Sequence, residues 1–310
     1  MKTILLLLFP SFIYSAEYYV SINGDSLNTG TFSSPFRYVQ QAADIMEAGD
    51  ICYIRQGAYH ENIILDNKDG SPGSPITFTS YNNERVVFDG TVLINSSWVP
   101  YDGDIWVTEI DSDIWQLFVE YEEMVMARWP NAYFSDGTIW DKENHWAHGI
   151  IDDDENAYEN GVMIDGPYGN ISLENIGFNI EGATAILNVG SFKTYTREVL
   201  THNGNTFTYD PVDLWKTKHH DYFLEKKIEF LDSENEWFYD PDSSRLYLWP
   251  PGSVDPNTLN IRGKVQSYAF EINNSEISFR ICFYPVDFPV EISFMKFEFK
   301  ALFYSYHFVS

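Results

Sequence analysis

The sequence predicts an all-β protein, a solenoid of short stacked strands closed at its start by one helix and interrupted by a second β-rich subdomain. Three observations carry this. Short β-branched or aromatic runs recur between Gly, Asn, Asp and Ser turns over residues 51–89. A single amphipathic helical pattern precedes them. From about residue 96 tryptophan becomes frequent and the strand pattern changes character. A sandwich also fits short, evenly spaced strands, but only a solenoid has an exposed end that a helix must cover.

The chain opens with Lys2, an apolar run to Tyr14 and small residues at Ser15 and Ala16. That order is expected of a secretory signal peptide over residues 1–16, and the run is too short to span a bilayer. The expected compartment is secreted or periplasmic, with no membrane association after cleavage.

Composition narrows the partners. With 19 Lys and Arg against 46 Asp and Glu, the net charge is −27. Such a surface repels nucleic acid and anionic membranes. It disfavours a long polyanionic substrate and is compatible with Ca²⁺, which takes oxygen ligands. No cofactor is expected. Two cysteines, Cys52 and Cys282, do not make a disulfide framework, and Cys52 falls inside an apolar strand pattern. Asn95, Asn170 and Asn273 stand in glycosylation sequons.

In order along the chain, residues 18–21 predict a strand. Ser34 as cap and Pro35 at the first turn predict a helix over residues 36–47, with Phe36, Val39, Ala43 and Met46 on one face and Gly49 beyond its end. Strands follow at 51–54, 62–65, 75–81 and 85–89, with Asn82 and Asn83 turning the chain. Residues 17–95 thus form the cap and first coils, and 96–258 the inserted subdomain. In the insert, 115–121 and 124–129 predict paired strands, and 236–239 with 245–249 a hairpin. Residues 259–279 return to coil patterning. Residues 280–310 hold no Gly and no Asn, the residues that turn coil corners, so they are expected to be an aberrant or truncated tail.

The string Tyr19-Val20-Ser21-x-x-Gly24-Asp25, then Gly30-Thr31, Ser34-Pro35-Phe36, Gly49-Asp50, Gly57-x-Tyr59-x-Glu61 and Asp89-Gly90, resembles the opening of secreted right-handed parallel β-helix proteins of the pectate-lyase-like superfamily. Two further strings, Met124-x-Met126-Ala127-Arg128-Trp129-Pro130 and Glu236-Trp237-Phe238-Tyr239-Asp240, are similar to segments of β-helix glycoside hydrolases that carry an inserted β domain. The resemblance implies a glycoside hydrolase lineage acting on plant or algal polysaccharide. A non-catalytic glycan-binding protein and a polysaccharide lyase are the alternatives. In those hydrolases the catalytic carboxylates project from later coils, so no residue here is assigned as catalytic.

Candidate sugar contacts are Trp129, Trp140 and Trp146, whose rings could stack on a pyranose, and His148 beside them. Trp129 fits a core role better. The spacing His145-x-x-His148 lacks the glutamate of a zinc protease motif, and the acidic run Asp152–Glu155 reads as a solvated loop, so no metal site is expected there. His219 and His220 predict a surface loop.

Overall fold

The computed structural model describes residues 15–71, 73–150, 158–166, 171–190, 192–213 and 217–273, with the strands Ser278–Cys282, Val290–Ser293 and Phe299–Leu302. Residues 1–14 of the expected signal peptide, the acidic run after Ile151 and Asn170 lie outside the described residues. The chain divides into two compact units, residues 1–91 with 266–310, and residues 92–265.

The first unit is a stack of parallel rungs. Glu17–Val20 pairs in parallel with Ile51–Ile54, which pairs in parallel with Ile76–Ser80, which pairs in parallel with Ser278–Cys282. Gly57–Tyr59 lies parallel to Val86–Phe88, and Ile63–Asp66 parallel to Tyr268–Asn273. Two successive coils thus have three strands each, and along the chain residues 92–265 come between the second and third strands of the later one.

Alternation explains why these short strands hold. Val20, Cys52, Ile54, Ile63, Leu65, Ile76, Phe78, Phe270 and Ile272 point inward and are buried. Phe270 meets both Phe78 and Phe88 edge-on, with centroids 5.4 and 5.2 Å apart. On the other side of the ladder Tyr19 stacks on Tyr53 at 5.3 Å, and Tyr81 meets both rings. The Arg55 guanidinium lies 4.8 Å over the Tyr81 ring and pairs with Glu84. Gly24 is required where it stands, because a Cβ there would sit 2.2 Å from the Phe36 carbonyl oxygen.

The helix is shorter than the sequence predicts, spanning Val39–Ile45. Ser34 does not cap it. Ser34 instead bridges Thr31, and Phe36 bridges Val20 in parallel, so the ladder claims the residues that looked like a first turn. Helical and extended pairing compete for Phe36, and tertiary pairing wins. Val39, Ala42 and Ala43 are buried in the same core as the rungs.

The second unit is built on two antiparallel-rich sheets. One runs Ile261–Lys264, Leu117–Val119, Glu122–Met126, Glu236–Asp240, Arg245–Leu248, Ile105–Glu109, Val99–Asp102. The other runs Tyr195–Glu198, Thr184–Gly190, Thr217–Glu225, Ala147–Gly149, Val162–Gly166, Thr206–Thr208, Thr201–Asn203, with Arg128–Trp129 also on Thr217–Glu225. The hairpin sorts its residues by parity. Trp237, Leu246 and Leu248 enter one core with Trp98 and Leu117. Phe238 and Tyr247 pack on the other, with Tyr222, Leu224 and Phe207 of the second sheet.

Two expectations are corrected here. Residues 261–264 do not belong to the coils: Ile261–Lys264 pairs antiparallel with Leu117–Val119, and Gly263 lets that strand pass Ile114. The coil resumes with Tyr268–Asn273, which pairs in parallel with Ile63–Asp66; alternation alone does not distinguish the two strands. Arg128–Trp129 is not an extension of the strand Glu122–Met126 but crosses to the other sheet. Across the boundary expected at residue 280, Ser278–Cys282 adds a parallel rung, whereas Val290–Ser293 and Phe299–Leu302 in the expected tail pair antiparallel.

Candidate functional site

The second sheet of the insert presents one face that is not apolar. The strand Thr217–Glu225 turns Tyr222 and Leu224 into the core, so the alternate residues Asp221 and Phe223 stand on the opposite face. Register brings Asn188 and His148 to either side of Asp221. The Asn188 amide donates to Asp221 Oδ2 at 3.3 Å, and His148 Nδ1 lies 3.1 Å from Asp221 Oδ1. His148 Nε2 lies 3.1 Å from the Glu143 carbonyl oxygen. The His220 ring is beside that of His148, 5.6 Å between centroids.

The adjoining part of this face is aromatic. The helix Lys142–His145 is capped by Asp141, whose carboxylate accepts the Asn144 N–H, and it delivers Trp146 to the start of the strand Ala147–Gly149. Trp146 meets Phe223 edge-to-face at 4.6 Å. The Arg128 guanidinium lies 3.8 Å over Phe223. Its Nε–H donates to the Pro130 carbonyl at 2.9 Å, across the cis Trp129–Pro130 bond, and a terminal N–H donates to the His145 carbonyl. Trp146 Nε1 is buried with no acceptor among the described residues. Trp140 lies in the turn Thr138–Trp140 before that helix and is 75% exposed, with the Phe134 ring 6.3 Å from its own.

Arg128 is buried, and burial lowers its guanidinium to about 10 against the pull of Glu225 and Glu236. Burial pushes Glu225 up to about 7, opposed by Arg128, and Glu236 up to about 8, helped by Asp232. Glu236 is buried, and its Oε2 accepts the Asp232 N–H at 3.3 Å.

Among the residues expected from sequence, Trp146 and His148 share this face and Trp140 is presented nearby along the chain. Trp129 pairs with Leu224 and packs on the core cluster, 6.2 Å from Tyr222. His145 is separated from His148 in role, its Nδ1 facing the Asn131 carbonyl. His219 and His220 lie on a strand, not in a loop. The pairing of Asp221 with Asn188 and His148 escaped sequence reasoning, because it spans 33 and 73 residues. The polar–apolar alternation of Asp221, Tyr222, Phe223 and Leu224 was the available signal.

An arrangement of carboxylate, imidazole and amide beside aromatic faces offers both partners for hydroxyls and an apolar platform. The parallel rungs are those of a pectate-lyase-like β-helix protein. The chain belongs to the Pel9A-like, right handed beta helix region family, whose model matches residues 18–209. Over 85 residues it is 41% identical to the uncharacterized protein YwoF of Bacillus subtilis, covering 27% of this chain and 18% of that one. Over 170 residues it is 28% identical to pectate lyase PEL9 of Emericella nidulans, covering 53% of this chain and 38% of that one. A solved glycoside hydrolase shares the fold with a TM-score of 0.60 at 18% identity, over 83% of this chain and 47% of that one. The chain spans less than half the length of each of these relatives. No helix among the described residues is long and apolar enough to cross a membrane.

Proposed function

We propose that this chain is part of an exported β-helix protein of the glycoside hydrolase lineage, degrading plant or algal polysaccharide, with Trp140, Trp146 and His148 of the insert contacting sugar. The observation that carries the proposal is the run of parallel rungs from Glu17–Val20 to Ile76–Ser80, within a chain of the Pel9A-like family. The fold shared with a glycoside hydrolase over 83% of this chain supports the hydrolase lineage. In this proposal the helix Val39–Ile45 plugs the first coil, residues 92–265 are an inserted subdomain, and residues 1–16 are a leader that directs the chain out of the cytoplasm.

A lyase is the second reading, favoured by the likeness to pectate lyase PEL9. Product analysis separates the two. The full chain is incubated with neutral and acidic plant polysaccharides. Reducing ends without unsaturated sugar support hydrolysis, and an unsaturated uronate assigns a lyase. Binding without turnover leaves a non-catalytic glycan-binding protein.

A further inference from the structure

We infer that His148, His220 and Asp221 form a binding site for a divalent transition-metal ion such as Zn²⁺. The donor atoms of these three residues lie within 4.8 Å of one another. His148 and Asp221 are paired across adjacent strands, so the backbone fixes their spacing, and His220 precedes Asp221 in the same strand with its ring beside that of His148. The His148 and Asp221 side chains are only 16% and 13% exposed, which limits competition from water.

The surroundings of His148 fit a metal ligand. Its two ring nitrogens each face an oxygen at 3.1 Å, the Glu143 carbonyl and Asp221 Oδ1. An ion bound by Nδ1 and Oδ1 would join the two side chains, while Nε2–H is kept for the Glu143 carbonyl. A backbone carbonyl on the far nitrogen is the arrangement that orients metal-binding histidines. The Asn188 amide on Oδ2 does the same for Asp221, leaving Oδ1 on the His148 side.

The donor set chooses the metal. Two imidazoles and one carboxylate suit Zn²⁺, Ni²⁺ or Cu²⁺, whereas Ca²⁺ takes six to eight oxygens. Bonds of about 2.0–2.2 Å to zinc bring ligand atoms to within about 4 Å of each other, so the widest separation closes by side-chain rotation. Three protein ligands leave a position for water or a sugar hydroxyl. The inference stands apart from the carbohydrate proposal, since the probe is the metal alone.

Calorimetric titration of the metal-stripped full chain with ZnCl₂ tests it. One equivalent is expected to bind, with affinity falling at least about tenfold in His148→Ala, His220→Ala and Asp221→Asn and unchanged in His202→Ala. Asp221→Asn keeps the side-chain shape, so its fold is preserved. In the unsubstituted chain, zinc is expected to shift the imidazole resonances of His148 and His220 and not that of His145. Absence of saturable binding, binding insensitive to all three substitutions, or resonance shifts confined to other histidines overturns the inference. Persistence of the His148–Asp221 contact with a doubly protonated ring in the presence of zinc overturns it equally.

Discussion

The carboxylate of Glu61 caps a helix 22 residues before it, accepting Val39 N–H at 2.9 Å and Gln40 N–H at 3.1 Å. The helix has no side-chain cap of its own from Tyr38, and its first amides would otherwise lack partners. The Gly57-x-Tyr59-x-Glu61 string therefore ties a coil corner to the helix. Glu61→Ala is expected to cost about 1–2 kcal/mol of stability, and Glu61→Gln less, as read from chemical denaturation.

Stability is expected to decline as pH rises from about 5 to 9. Glu225 and Glu236 titrate near 4.5 when unfolded, and in the fold at about 7 and about 8. Between those values the native state holds protons that the unfolded state has released. Their contribution is complete below 4.5 and is lost as pH passes the folded values. Melting temperatures across this range check the slope. Glu236→Gln, a neutral isostere, is expected to flatten it, and an unchanged slope would refute the assignment.

Removing Arg128 while its acidic neighbours stay enclosed is expected to be costly. Arg128→Ala should lose about 3–5 kcal/mol, because it strips the guanidinium from Phe223 and from the Pro130 and His145 carbonyls. Denaturant midpoints at one pH give the comparison, and a loss below about 1 kcal/mol contradicts the role.

Trp129 and Trp140 are expected to separate by property. Trp129→Ala should destabilise by about 3–5 kcal/mol, since the ring packs on the core near Tyr222. Trp140→Ala should leave stability within about 0.5 kcal/mol, since the ring is exposed. Parallel melting curves of the two variants decide this.

The coils were legible because local signals suffice for them. Cys52, Ile54, Ile76 and Phe78 alternate with polar or aromatic outward residues, and turn glycines mark the corners. The hairpin of Trp237 and Leu248 was legible for the same reason. What failed depended on distant pairing. Phe36 looks helical until Val20 bridges it, and Ile261 looks like a coil strand until Leu117–Val119 takes it. The site was half legible. Trp146 and His148 stand out by type, whereas Asp221 and Asn188 matter only through register across three strands.

Affinity electrophoresis through gels containing plant polysaccharides tests most directly whether this chain handles glycan through the insert. Retardation by at least one polysaccharide is expected, weakened in Trp140→Ala and unchanged in Trp115→Ala, whose ring is also exposed. Migration unaffected by every polysaccharide, or retardation that survives loss of Trp140, Trp146 and His148 together, would contradict the account.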